Sequence, residues 1–171
     1  MRPAADQPAP PLVPDQALAG YWQRILGFGV DIFLMFGVTV GIAFAGGVEF
    51  DEIAATDGWP TSVRVAQFIA VGLYYVIFTG WRGETLGKMT VGSRVVGAKT
   101  GVIPTWPAST IRWAIVGIAG ILPVPFLSVV VYGVVALDPR RRGLHDFGAG
   151  TVVVDVRRYR DTKVVIDPEL R

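Results

Sequence analysis

An all-α membrane protein, built of two transmembrane helices, a third proline-broken apolar segment and short cytoplasmic β-strands, is the fold class that three observations predict. The chain of 171 residues is 51% hydrophobic and 18% charged, with a mean hydropathy of +0.47, too apolar for a soluble domain of this length. Between Ile25 and Val48 only Asp31 carries a charge; these 24 residues, at about 1.5 Å each, span roughly 36 Å, enough for a hydrocarbon core of about 30 Å. The basic residues gather in particular loops and the net charge is only +2, a distribution that follows a membrane topology and excludes nucleic acid as the main partner.

Residues 1–18 hold five prolines and have no basic start followed by an apolar core. They predict a disordered, solvated Pro/Ala-rich tail and no cleavable signal. The first helix is expected over residues 20–46, with Trp22 as an interfacial aromatic. Arg24 and Asp31 stand seven positions apart, and seven steps of about 100° return almost to the same azimuth, so both occupy one face two turns apart. An isolated carboxylate in lipid costs at least about 2.5–3.5 kcal/mol, which turns that face towards protein or a water-filled cavity. Gly37, Gly41 and Ala45 place a small residue at every fourth position and suit the close approach of another helix, a second copy of the chain included.

Residues 49–64 carry four acids (Glu49, Asp51, Glu52, Asp57) and one base, Arg64. A second helix is expected over 65–81, closed by Trp81 and Arg82. The following loop, 82–112, has five bases (Arg82, Lys88, Arg94, Lys99, Arg112) and one acid, Glu84. The positive-inside rule then puts this loop and the N-terminus in the cytoplasm and the acidic loop outside, in a multi-pass protein of the inner membrane. Residues 113–137 form a third apolar run, with Pro123 and Pro125 breaking any helix there. A single crossing would place Arg140, Arg141 and Arg142 outside, against the charge rule, so a re-entrant hairpin is favoured over a third span. Valine-rich stretches at 91–101 and 150–159 read as paired strands at the inner face, and residues 161–171 as a frayed end.

Catalytic and cofactor signatures are absent from the sequence. There is no cysteine and one histidine, His145, which excludes thiolate and multi-histidine metal sites. "GETLGK" at 83–88 lacks phosphate-loop spacing, because Met89 follows Lys88, and reads instead as a tight turn with Lys88 near lipid phosphates. No nucleophile has a positioned base, so an enzyme is not expected.

Three clusters, "YWQRILGFGVD" at 21–31, "GETLGKMTVGSRVV" at 83–96 and "RRRGLHDFGAGTVVV" at 140–154, together resemble the RDD family of small bacterial membrane proteins. The resemblance covers residues 21 to about 156. It sets Arg24 in the place of the family arginine, Asp31 in that of the first aspartate and Asp146 in that of the second, with Gly83, Thr85, Gly87, Lys88, Arg94 and Val95 on the central motif. It implies a membrane-embedded chain with a part in transport.

The site expected from residues and resemblance together is a polar cluster of Arg24, Asp31 and Asp146, supported by Thr85, Gly87, Lys88, Arg94, Arg112 and His145. Such a site would bind or move a cation, a proton or a small solute, with Asp31 alternating between protonated and ion-paired states. The alternative is a non-transporting scaffold or accessory subunit, in which Asp31 forms a structural ion pair with Arg24, Arg112 or a lysine, and Asp146 caps a turn before Gly148–Gly150.

Overall fold

The computed structural model describes residues 13–49, 51, 59–121 and 133–166. In chain order the elements are α1 (Tyr21–Ala45), α2 (Thr61–Arg82), α3 (Leu86–Thr90), β1 (Ser93–Gly97), α4 (Trp106–Ile121), α5 (Leu144–Ala149), β2 (Thr151–Asp155) and α6 (Val156–Ile166).

Both α1 and α2 are long and apolar enough to cross a membrane. Gly20 precedes α1 and donates its N–H to Gln23 Oε1 at 3.0 Å, which occupies one of the donors a helix start leaves open. At the other end of the pair, α2 stops at Gly83, whose φ of 71° is the left-handed turn that glycine adopts at little cost. Much of the surface of both helices is bare: Trp22, Leu26, Phe33 and Phe36 on α1 and Val65, Ile69, Leu73 and Trp81 on α2 are exposed. Only a strip of α1 spaced by four residues, Gly27, Asp31, Met35, Thr39 and Ala43, is buried. An apolar collar around one polar strip is the pattern of a helix that meets lipid on most sides and protein on one.

Tryptophans of α4 fill the gaps left by glycines of α2. A Cβ on Gly72 would lie 2.5 Å from the Trp113 ring, and one on Gly80 would lie 2.6 Å from that of Trp106. Phe68 adds a tilted ring contact with Trp113 at 4.8 Å between centroids. The helix begins at Trp106, seven residues before the apolar run expected from Trp113, because Pro107 is harmless in a first turn where its missing N–H has no partner to lose. Arg112 therefore lies within a helix and is carried against α5. The break at Pro123 and Pro125 falls in residues 122–132, outside the described residues, and with it the choice between hairpin and third span.

The strands pair antiparallel, Val95 opposite Val153 and Val96 opposite Val152. Four boundaries differ from the sequence-based expectation. Residues 13–18 are not a disordered tail: Asp15–Ala17 form a 3-10 turn, Leu18 bridges Val154, and Val13, Ala17 and Leu18 are buried against Val96, Val152, Val154 and Tyr159. The sheet offers an apolar face that must be covered, and the apolar residues around Pro14 cover it. The segment is also tied from outside, with Arg140 donating to the Val13 carbonyl at 2.8 Å and Arg141 to that of Ala19 at 3.3 Å. The second strand ends at Asp155 instead of Tyr159, because that carboxylate accepts the N–H groups of Arg157 and Arg158 at 3.0 and 3.1 Å and starts α6. The chain is then helical to Ile166, so the frayed end does not begin at 161. The second spanning helix likewise starts at Thr61, four residues before the expected 65.

Candidate functional site

Asp31 lies at 0% exposure on the buried strip of α1. Three donors converge on it. Tyr74 of α2 donates its hydroxyl to Oδ1 at 2.6 Å, Thr85 donates to Oδ2 at 2.6 Å, and the Gly87 N–H donates to Oδ1 at 2.8 Å. The Tyr74 oxygen in turn accepts the Leu86 N–H at 2.8 Å. One carboxylate thus closes α1, α2 and the start of α3 into a single hydrogen-bonded unit, through charge-assisted bonds of the stronger kind. Backbone contact makes this reach feasible. A Cβ on Gly87 would sit 2.0 Å from the Gly27 carbonyl oxygen and 2.8 Å from the Asp31 carboxyl, so α3 rests directly on α1 where both residues are glycine.

Asp146, also at 0% exposure, gathers a second set. Arg112 of α4 forms an ion pair with its Oδ1, Thr151 donates to the same oxygen at 3.0 Å, and the Gly143 N–H donates to Oδ2 at 3.1 Å. Arg24 reaches it from α1, with Nη1 at 3.5 Å from Oδ2, while its Nη2 donates to the Val153 carbonyl at 3.2 Å. Burial favours the protonated carboxyl, but Arg112 and Arg24 outweigh it and hold Asp146 well below the usual carboxylate range. His145 stands beside it, Nε2 at 3.6 Å from Oδ2. Burial and then the Arg112 charge push that imidazole down to about 3, so it is neutral at ordinary pH.

The three residues expected to meet therefore do so only in part. Arg24 joins Asp146, and Asp31 is held elsewhere. Seven residues return to the same azimuth, but they also climb about 10.5 Å, beyond the roughly 4 Å of an ion pair. Thr85 and Gly87 belong to the Asp31 cradle, Arg112 and His145 to the Asp146 group. Arg94 stands apart in an ion pair with the buried Glu84. Lys88 lies between the two groups and feels both carboxylates; burial and then the Arg112 charge lower its ammonium to about 8. Its ammonium makes no ion pair or hydrogen bond among the described residues, so the three cations Arg24, Lys88 and Arg112 face two carboxylates. Among the described residues no three carboxylates or imidazoles converge where a metal ion could sit.

Tyr74 takes part in these groups without a signal in the sequence, and Thr151 and Gly143, which lie inside the 140–154 cluster, do so in roles that the cluster does not specify. A tyrosine in an apolar helix reads as an interfacial aromatic, and the last two lend a hydroxyl and a backbone amide whose use depends on the fold. Gly37 and Gly41 take no part: nothing lies within 4 Å of a Cβ built on either, and that face of α1 is unused within the described chain.

Comparison with known proteins places the charged residues of the site inside one family match. The model of the RDD family matches residues 18–150, which takes in both aspartates and all three cations. An uncharacterized membrane protein, YteJ of Bacillus subtilis (strain 168), is 31% identical over 148 residues, covering 84% of this chain and 85% of its own. No solved structure matches.

Proposed function

For a chain that belongs to the RDD family of membrane proteins, we propose a non-transporting role, as a scaffold or accessory subunit whose charged groups lock two membrane helices onto the small sheet at their base. The observation that carries this reading is the Asp31 cradle. A transport acid must exchange partners, yet Asp31 is met by donors from three places in the chain. Asp146 is engaged in the same way by Arg112, Thr151 and Gly143. With more cations than carboxylates across the two groups, a cation would enter against the local field.

In this reading the chain is multi-pass in the inner membrane, with its N-terminus and sheet in the cytoplasm, because the loop 82–112 is the basic one. It is not an enzyme, and self-association through the unused Gly37–Gly41 face supplies an oligomer. The competing reading, movement of a cation, proton or small solute through Arg24, Asp31 and Asp146, is tested by the same experiment. Wild type and Asp31→Asn are purified, their folded fraction is measured, and proton and cation flux is recorded in proteoliposomes. A structural acid gives no flux in wild type and little folded protein in the variant. Flux in wild type that disappears from a fully folded, inserted Asp31→Asn protein would return the site to transport.

A further inference from the structure

We propose that the cavity between the sheet and α6 is a binding site for a phosphate-bearing anionic group, of which the headgroup of an anionic phospholipid is the source its position favours. The cavity measures about 200 Å³ and is lined by Arg94, Val154, Val156, Tyr159 and Arg160. It holds the volume of six or seven waters at roughly 30 Å³ each, enough for a headgroup and below the size of drug-like ligand pockets.

Its two arginines are prepared differently. Arg94 is anchored through Nε by Glu84, and Glu84 is itself buried at 6% exposure. The ion pair fixes the guanidinium at the wall and leaves its outer nitrogens for a second acceptor. Arg160 is exposed on α6 and makes no ion pair or hydrogen bond among the described residues. An aimed guanidinium and an uncommitted one on a shared cavity match the forked geometry with which arginine takes phosphate oxygens. The Tyr159 hydroxyl is already spent on the Gly101 carbonyl at 2.6 Å, so that residue, with Val154 and Val156, offers an apolar wall beside the charge.

Position selects the lipid source. The backbone N–H of Val95 donates to the Gly83 carbonyl at 2.7 Å, and a Cβ on Gly83 would lie 3.1 Å from Arg94 Cγ. Arg94 therefore lies across the end of the membrane-crossing helix α2. Trp81 at that end is 65% exposed, and Arg82 sits over its ring at 5.7 Å, as an aromatic and a base do at the headgroup level. Arginines just beyond a membrane helix recognise acidic headgroups in this way.

The test uses the full chain purified in detergent, titrated with short-chain phosphatidylglycerol, with phosphatidylcholine of the same chains and with glycerol phosphate, and read by bound adducts in native mass spectrometry. Arg160→Gln should weaken phosphatidylglycerol binding about tenfold or more, the loss of a charge-assisted phosphate contact, while Arg157→Gln, on the same helix but off the cavity wall, leaves it within about twofold. Val156→Phe, which fills the cavity without changing charge, should weaken it as strongly. Tighter binding of phosphatidylglycerol than of glycerol phosphate supports the lipid source; equal binding of the two, still lost in Arg160→Gln, supports a soluble phosphate in the same site. Equal binding of phosphatidylglycerol and phosphatidylcholine, or equal effects of Arg160→Gln and Arg157→Gln, overturns the site.

Discussion

Replacing Gly87 by alanine tests the cradle at its tightest point. The new Cβ would lie 2.0 Å from the Gly27 carbonyl oxygen, where ordinary contact begins at 3.4 Å, so α3 must retreat by about 1.4 Å from a backbone atom that cannot rotate away. The Gly87 N–H to Asp31 bond, 2.8 Å long, would then stretch to as much as about 4.2 Å, outside hydrogen-bond range. Overpacking costs about 1–3 kcal/mol, and a lost bond to a buried charge about 1.5–3 kcal/mol. Together they give about 2.5–6 kcal/mol, a large share of a stability of about 5–15 kcal/mol. The assay is the thermal midpoint of the detergent-solubilised chain, followed by size-exclusion fluorescence. Two controls grade the response. Gly27→Ala, with 3.1 Å to the Gly87 carbonyl, should be affected mildly, and Gly29→Ala, with nothing within 4 Å, should match wild type or exceed it. If Gly87→Ala melts with Gly29→Ala, the close approach of α1 and α3 is wrong.

Two other perturbations follow from the second group. Asp146→Asn removes the counter-charge shared by Arg112 and Arg24 and should cost about 3–5 kcal/mol, the penalty of a broken buried pair; a midpoint unchanged from wild type would mean that the arginines find solvent. Lys88 supplies a pH dependence with a defined sign. Its pKa is lowered from 10.5 to about 8, so between those values the unfolded chain binds the proton that the folded chain has released, and stability rises with pH across that window. Below about pH 8 the burial cost is present in full. Midpoints measured from pH 7 to 10.5 should climb in wild type relative to Lys88→Met, and parallel curves would show that Lys88 is not desolvated.

The helices α1 and α2 are legible because hydropathy and length act over twenty residues and little competes with them. So is the involvement of Arg24, Asp31, Asp146 and the Gly83–Val95 stretch, since charges and glycines in an apolar chain are costly unless something uses them. Which charge meets which is not legible. Azimuth alone pairs Arg24 with Asp31, whereas axial rise separates them, and Arg112 becomes the principal partner of Asp146 once α4 begins early enough to contain it. Composition also misleads at the start of the chain: proline content marks residues 13–18 as tail, but a sheet face assembled from residues more than seventy positions away supplies the surface that orders them.

The pairing of Arg24 with Asp146 has a consequence for biosynthesis. The two are separated by 122 residues, and at about 5–20 residues per second the ribosome needs roughly 6–24 s to deliver the second after the first. Through that interval the first helix enters the bilayer with its arginine unmatched, and Arg112 joins it without relief. The strand that accepts Leu18 and Ala19 is also still unmade. Nascent chains interrupted between residues 112 and 146 would therefore carry both guanidiniums without the carboxylate that pairs with them in the finished chain.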